Sequence, residues 1–469
     1  MRRIALLFLA GVSLPAALPL RAETRPHYGG TLRVELRERV ASLDPREWPS
    51  NAREAAAAER LASLVFERLV RLDENGRPQP ALAIWWQKDA QAKRWEFRLR
   101  PGVVFDDGTP LTADTVAAAW RLVHSTGPAA TGSGDTFVIQ SDQPMPDLPA
   151  DLARGRDFIF HVTADGKLAG TGPFRITEWQ PRSRLVLAAN ENHWAGRPFL
   201  DSVTVGLGIS PQQQMIDLEL GRADVVELAP EQIRRAALTG TRAWSSLPVE
   251  LLALEFDVNR PAVQDARGRE ALALAIDRGA IWSVLLQRQG EAATSLLPQW
   301  LSGYAFLFRT ERDLGLARQL HELVRATGPL VLVYDVGDAQ ARTVADRIAV
   351  DAREAGIAVQ VSAAGTGAYD ARLVRRRFAV VDPGAALAEL ASAFGLAEMV
   401  RLDNPSPEQV YAAERALLET YRVVPLAYLP ESCALSARVR NWMPARWGDW
   451  RLEDAWLDAS APPAAGGKP

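Results

Sequence analysis

The sequence predicts an α/β protein. Three observations carry this: strand-like and helix-like patterns alternate along the chain, one stretch reads as strand–helix–strand, and 469 residues at 48% hydrophobic suffice for two or three cored domains. In order, Thr31-Leu32-Arg33-Val34-Glu35-Leu36 alternates apolar and polar residues as a half-buried strand does. Ala52 to Val70 reads as a helix with Asn51 as N-cap. Trp95 to Leu99 alternates again and stops at Pro101-Gly102, and a helix is expected from Thr112 to His124. Residues 125–147, rich in Gly, Ser, Pro and Asp, read as a loop.

Strands follow near Arg175–Trp179, Leu185–Ala189 and Val203–Leu207, then a helix at Gln212–Leu220 and a strand at Asp224–Leu228. An apolar run from Leu247 to Asp257 leads into Asn259-Arg260-Pro261, expected as a crossing between lobes, and Ala266–Leu286 reads as one helix. A helix at Asp313–Thr327 precedes the unit formed by strand Leu330–Tyr334, helix Asp338–Ala355 and strand Ile357–Val361. That unit implies parallel strands with a crossover helix. A helix at Pro407–Tyr421 and a strand at Val424–Leu429 close this half.

The N-terminus reads as an address. Met1-Arg2-Arg3, an uncharged stretch from Ile4 to Leu20 and Arg21-Ala22 make a secretory signal peptide over 1–22. A retained membrane anchor is the alternative. With no Cys near the junction a lipid anchor is ruled out, and export points to the periplasm. The only cysteine, Cys433, excludes a disulfide framework and any zinc site built on Cys pairs. A net charge of −3 gives no field that favours nucleic acid. All basic residues other than Lys88, Lys93, Lys167 and Lys468 are Arg, which reads as a coding bias.

No HExxH, Walker-type Gly-Lys-Ser/Thr or GxSxG motif occurs, and the five His are too scattered to make a metal-ligand face. Gly170-Thr171-Gly172 resembles a phosphate cradle, but Pro173 and a strand pattern follow where a helix would be needed, so a tight turn between closely packed segments is expected. Nothing points to catalysis, a metal or a cofactor.

Five blocks taken in order resemble the bacterial extracellular solute-binding proteins of family 5, the periplasmic peptide-binding components of ABC importers. They are Gly29-Gly30-Thr31-Leu32-Arg33-Val34 with Leu43-Asp44-Pro45; Val65-Phe66-Glu67-Arg68-Leu69-Val70 with Pro80-Ala81-Leu82-Ala83; Trp95 to Phe105 running into Asp107-Gly108-Thr109-Pro110-Leu111-Thr112-Ala113-Asp114; Gly170-Thr171-Gly172-Pro173-Phe174, with Gly221-Arg222-Ala223-Asp224 later; and Ala271 to Arg278. The match covers roughly residues 29–280 and softens beyond.

The resemblance implies a two-lobed, type II (cluster C-like) periplasmic-binding-protein fold with mixed sheets flanked by helices. It implies lobe I over 23–258, with a subdomain at about 46–168, lobe II over 259–432, and a return to lobe I over 433–458; the Ala/Pro/Gly-rich residues 459–469 are expected to be a disordered tail. It also implies a monomer that captures a peptide in the interlobe cleft and serves a membrane permease, without nucleic acid. Alternatives are an oligosaccharide, opine or metal chelate as ligand, or a degenerate member acting as a sensor or assembly protein. In this family an acidic residue of the second lobe takes the peptide's amino terminus; in the corresponding stretch, Phe378 to Gly384, the only acid is Asp382, whose other reading is a helix N-cap. That stretch is reduced and lacks Trp, which keeps a smaller or different solute open. Trp48 and Trp300, in loop-like segments, and Asn51 beside the first complete the candidate ligand-binding residues. Most of the other tryptophans, including Trp442, Trp447, Trp450 and Trp456, are expected to be packing.

Overall fold

The computed structural model describes residues 25–458, apart from 50, 74–75, 230–231, 234–235, 237–240, 305–310, 325–327, 339, 366, 379–381, 401, 403–404 and 445–449. The expected leader, Trp447 and the expected tail lie outside the described residues.

Eleven strands form one continuous sheet: β1 (Thr31–Leu36), β2 (Phe174–Gln180), β3 (Arg184–Ala189), β4 (Ser202–Leu207), β5 (Val225–Glu227), β6 (Arg242–Phe256), β7 (Glu291–Ala292), β8 (Leu330–Tyr334), β9 (Val359–Ala363), β10 (Ala371–Arg377) and β11 (Val423–Leu435). Their spatial order is β2-β3-β4-β1-β5-β11-β6-β10-β8-β9, with β7 on β11. β1 is parallel to β4 and β5, and β8 to β9 and β10; the β8–β9 pair encloses the crossover helix Ala341–Glu354. Alternation in β1 sends Leu32, Val34 and Leu36 into the core and leaves Arg33 and Glu35 on the other side.

Among the described residues, the two largest of the cores against this sheet lie one in each half. One gathers Leu32, Val34, Leu187 and Val205 with the last described segment, through Trp442, Trp450 and Leu457. The other gathers Leu252, Leu254, Leu332, Ile348 and Leu426. β6 and β11 join the two halves, pairing from Arg242 opposite Leu435 at one end to Glu255 opposite Val423 at the other. Midway the register shifts on both sides of Pro248, which faces Pro430. Neither proline has an N–H to donate, so the ladder lapses where the chain passes between lobes. This crossing precedes the expected one: Leu252, Leu254 and Phe256 already belong to the second core, and 259–261 only turn the chain into the short helical turn Pro261–Val263.

A third core, around Phe97, Phe105, Trp120 and Phe137, sits beneath a four-stranded sheet built from Ala83–Lys88, Arg94–Leu99, Ala129–Ser133 and Thr136–Gln140. The last two strands replace the expected loop at 125–147. Their Gly and Ser content disguised them, and packing explains it: a Cβ on Gly132 would lie 2.2 Å from the carbonyl carbon of Ala113. Two expected helices are also shorter. Ala52–Ala62 ends before the strand that starts at Val70, and Ala266–Ala275 ends where Asp277 caps a new turn by accepting from the Ala280 N–H. A π-type turn, Ile281–Leu285, follows.

Candidate functional site

Between the lobes lies a cavity of about 300 Å³. Each wall is placed by a regular element. Helix Ala52–Ala62 brings Arg53, Ala56 and Arg60 from the first lobe, and the chain just past β1 brings Arg37 and Glu38. From the second lobe, β10 presents Arg375 and Arg377, two residues apart and so on one face of the strand. The turn after β8 adds Asp338, and the crossing strands add Glu250 and Glu431.

Five arginines and five carboxylates thus line the cavity among the described residues. Most are tied into two chains of ion pairs. In the first, Arg53 Nη2 donates to Asp338 Oδ2 at 2.8 Å across the lobes, Arg375 Nε donates to the same oxygen at 2.5 Å, and Arg375 Nη1 reaches Glu250 at 3.4 Å. In the second, Arg377 Nε donates to Glu431 at 3.0 Å, while Arg60 lies 3.5 Å from Glu431 and 3.6 Å from Glu227. Burial alone would raise both the Asp338 and the Glu431 carboxyl groups. The neighbouring guanidiniums outweigh it: Arg375 and Arg53 hold Asp338, and Arg60 and Arg377 hold Glu431, below the ordinary carboxylate values. Trp244, Trp450 and Cys433 supply apolar wall, and burial pushes the Cys433 thiol up to about 12. Such a cavity, polar and charge-balanced, suits reversible binding of a small polar solute. Its volume lies at the low end of the ~300–1,000 Å³ usual for small-molecule sites.

The family model described as bacterial extracellular solute-binding proteins, family 5 Middle, matches residues 77–388, more than half of the chain. The chain belongs to this family. Among curated family-5 relatives, the nickel-binding periplasmic protein of Escherichia coli (strain K12) is 26% identical over 263 residues, covering 50% of this chain and 50% of that protein. The chain spans about half the length of the curated relatives it matches. Solved structures share its two-domain fold. NikA from Staphylococcus aureus in complex with Ni(L-His)2 superposes with a TM-score of 0.79 at 17% identity, covering 91% of this chain and 100% of that one. DppA from Helicobacter pylori in complex with peptide STSA gives 0.77 at 18%, covering 92% and 99%.

Within this family-5 fold, none of the four residues expected from the sequence is among the described residues lining the cavity. Asp382 is exposed and caps helix Pro383–Ala393, accepting from the Ala385 N–H at 2.8 Å. Asn51 caps helix Ala52–Ala62 by accepting from the Arg53 and Glu54 N–H groups, so it supports the helix that carries the site. Trp48 packs on the first core beside Phe158, ring centroids 5.9 Å apart. Trp300 packs with Phe378 and donates its Nε1–H to the Pro248 carbonyl at 3.0 Å, beside the crossing. The aromatic walls are instead Trp244 and Trp450, the latter also part of the first core. The residues that were missed are chiefly arginines, discounted as composition. One signal was available: Arg375-Arg376-Arg377 closes a short strand-like stretch, and strand alternation puts Arg375 and Arg377 on the same face.

Proposed function

We propose that the protein is the solute-binding receptor of an ABC importer, closing its lobes on a small peptide in the cleft and presenting the closed form to a membrane permease. The observation that supports this is the cavity itself, walled by side chains of both lobes around a two-strand crossing. A ligand touching both walls binds the closed form better than the open one, and that difference drives closure. A periplasmic, monomeric protein cleaved from its leader fits this role. The relatives' names, which include D,D-dipeptide binding and oligopeptide binding, favour peptide.

A metal chelate is the second reading. Among the described residues no group of three or more His, Cys, Asp or Glu is placed to hold a bare ion, whereas the arginine-lined walls would receive a chelate's carboxylates. A thermal-shift screen of di- and tripeptides, Ni(II)–histidine and neutral sugars tests both. A bound solute at one hundred times its Kd stabilises by about 2.7 kcal/mol. A shift with peptides supports the first reading, a shift with the chelate alone supports the second, and no shift with any solute would sink the receptor reading.

A further inference from the structure

Two neighbours in sequence keep unused charge in the cleft: Glu38, whose carboxylate joins neither ion-pair chain, and Arg37, which ends the second chain on Glu227 through its Nε alone. The Glu38 backbone carbonyl accepts from the Gly208 N–H at 3.2 Å, but its carboxylate makes no hydrogen bond or ion pair with any described residue. Arg37 is held at one end only: its backbone N–H donates to Glu227 at 2.7 Å and its Nε lies 3.3 Å from the same carboxylate. The terminal nitrogens of Arg37, in a side chain that is 40% exposed, contact none of the described residues. Arg37 and Glu38 do not pair with each other, although both line the cavity.

The other lining charges are spoken for. Arg53, Arg60, Arg375 and Arg377 each hold a carboxylate, and Asp338, Glu227, Glu250 and Glu431 each hold a guanidinium. A planar fork with two free nitrogens receives a carboxylate in bidentate fashion, and an unpaired carboxylate takes an ammonium. Because the lining charges balance, a ligand with a single net charge would leave one charge uncompensated in a partly buried site, whereas a zwitterion leaves none.

We propose that Arg37 and Glu38 together read a small zwitterion, Glu38 holding its cationic group and Arg37 its carboxylate. This rests on the receptor reading and narrows it to free amino-acid-like or short-peptide solutes with both ends unblocked. The state of Glu38 agrees: burial pushes its carboxyl above the ordinary value even though Arg53, Arg37 and Arg60 pull it down, with Glu227 adding to the rise, so an incoming cation relieves an unfavourable charge. The assignment also answers a question raised by Asp382. That acid is occupied as a helix cap, and the amine-binding role passes to the first lobe.

Calorimetric titration with L-alanyl-L-alanine, its N-acetyl form and its C-terminal amide tests this. The wild type should bind the free dipeptide at least tenfold more tightly than either blocked form. Glu38→Gln should lose the preference for a free amino terminus but keep that for a free carboxylate, and Arg37→Gln should do the reverse. Blocked forms bound as tightly as the free dipeptide by the wild type would overturn the proposal without any variant. So would both variants binding the free dipeptide within twofold of wild type. Binding confined to neutral sugars or to Ni(II)–histidine would overturn it and leave the receptor standing, whereas a wild type that binds no solute at all would remove both.

Discussion

At Gly170 a Cβ would lie 2.0 Å from the carbonyl oxygen of Val65, and at Gly172 it would lie 2.6 Å from the same residue's carbonyl carbon. The two glycines let one backbone segment lie directly on another, and the Gly172 N–H donates to Val65 at 2.9 Å. This is the packing turn that Pro173 implied, with no room for a phosphate. Gly170→Ala should therefore destabilise by about 1–3 kcal/mol, as overpacking does, read as a lower denaturation midpoint at unchanged slope. Trp300 shows the converse, a residue whose role the sequence did not disclose. An indole flanked by Pro298 and Gly303 reads as exposed, and only the fold places its Nε1 against the Pro248 carbonyl. Trp300→Phe keeps an aromatic ring against Phe378 but removes the donor and the pyrrole half of the indole, so it should cost at least the ~0.5–1.5 kcal/mol of the hydrogen bond.

Helix caps carry the clearest lesson at the scale of elements. Asn51, Thr112, Ser406 and Asp382 each stand one residue before a helix and accept from its first N–H groups. The local rule is legible because a cap needs only its own next three residues. Asn51→Ala should cost about 1 kcal/mol, and Asn51→Ser should restore it, since a hydroxyl also caps. The same pair at Asp382 separates its two roles: Asp382→Ser should keep both stability and dipeptide affinity if the residue only caps. Helix ends were less legible. The break after Ala275 depends on Asp277, whose carboxylate also lies 3.6 Å from Arg347 and whose own N–H donates to Asp351, 74 residues on. The strands at 129–140 were hidden for the same reason, because Gly132 is chosen by contact with Ala113 rather than by strand propensity.

The ionic chains tie the lobes together across the whole molecule and set how stability depends on pH. Asp338 and Glu431 titrate below their ordinary 3.8 and 4.5, so the stabilisation they supply is complete above those values and is lost as pH falls below them. Glu414, buried in the second lobe, runs the other way. Burial raises it from 4.5 to about 6, although the Tyr304 hydroxyl and the Leu297 and Leu296 N–H groups donate to it. Its contribution is full below 4.5 and is lost as pH rises through about 6. Glu414→Gln should flatten the stability profile between these values by about 1–2 kcal/mol in chemical denaturation. Asp338→Asn should instead remove the carboxylate that Arg53 and Arg375 share across the cleft, leaving Arg375 to Glu250 and Arg53 to the more distant Asp335 at 3.8 Å. The expected result is a larger radius of gyration by solution scattering in the absence of added solute, and its absence would show that the lobes are held by other contacts.

The alternation of strands and helices, the caps, the packing glycines and the five ordered blocks were all readable along the chain, because each is a pattern within a few neighbouring residues. The cavity was not. Arg37, Arg53, Arg60, Arg375 and Arg377 are up to 340 positions apart and resemble the rest of an arginine-rich composition until β6 and β11 bring the two lobes face to face. Which charges remain free there depends on which others have found partners, and that is a property of distances in space.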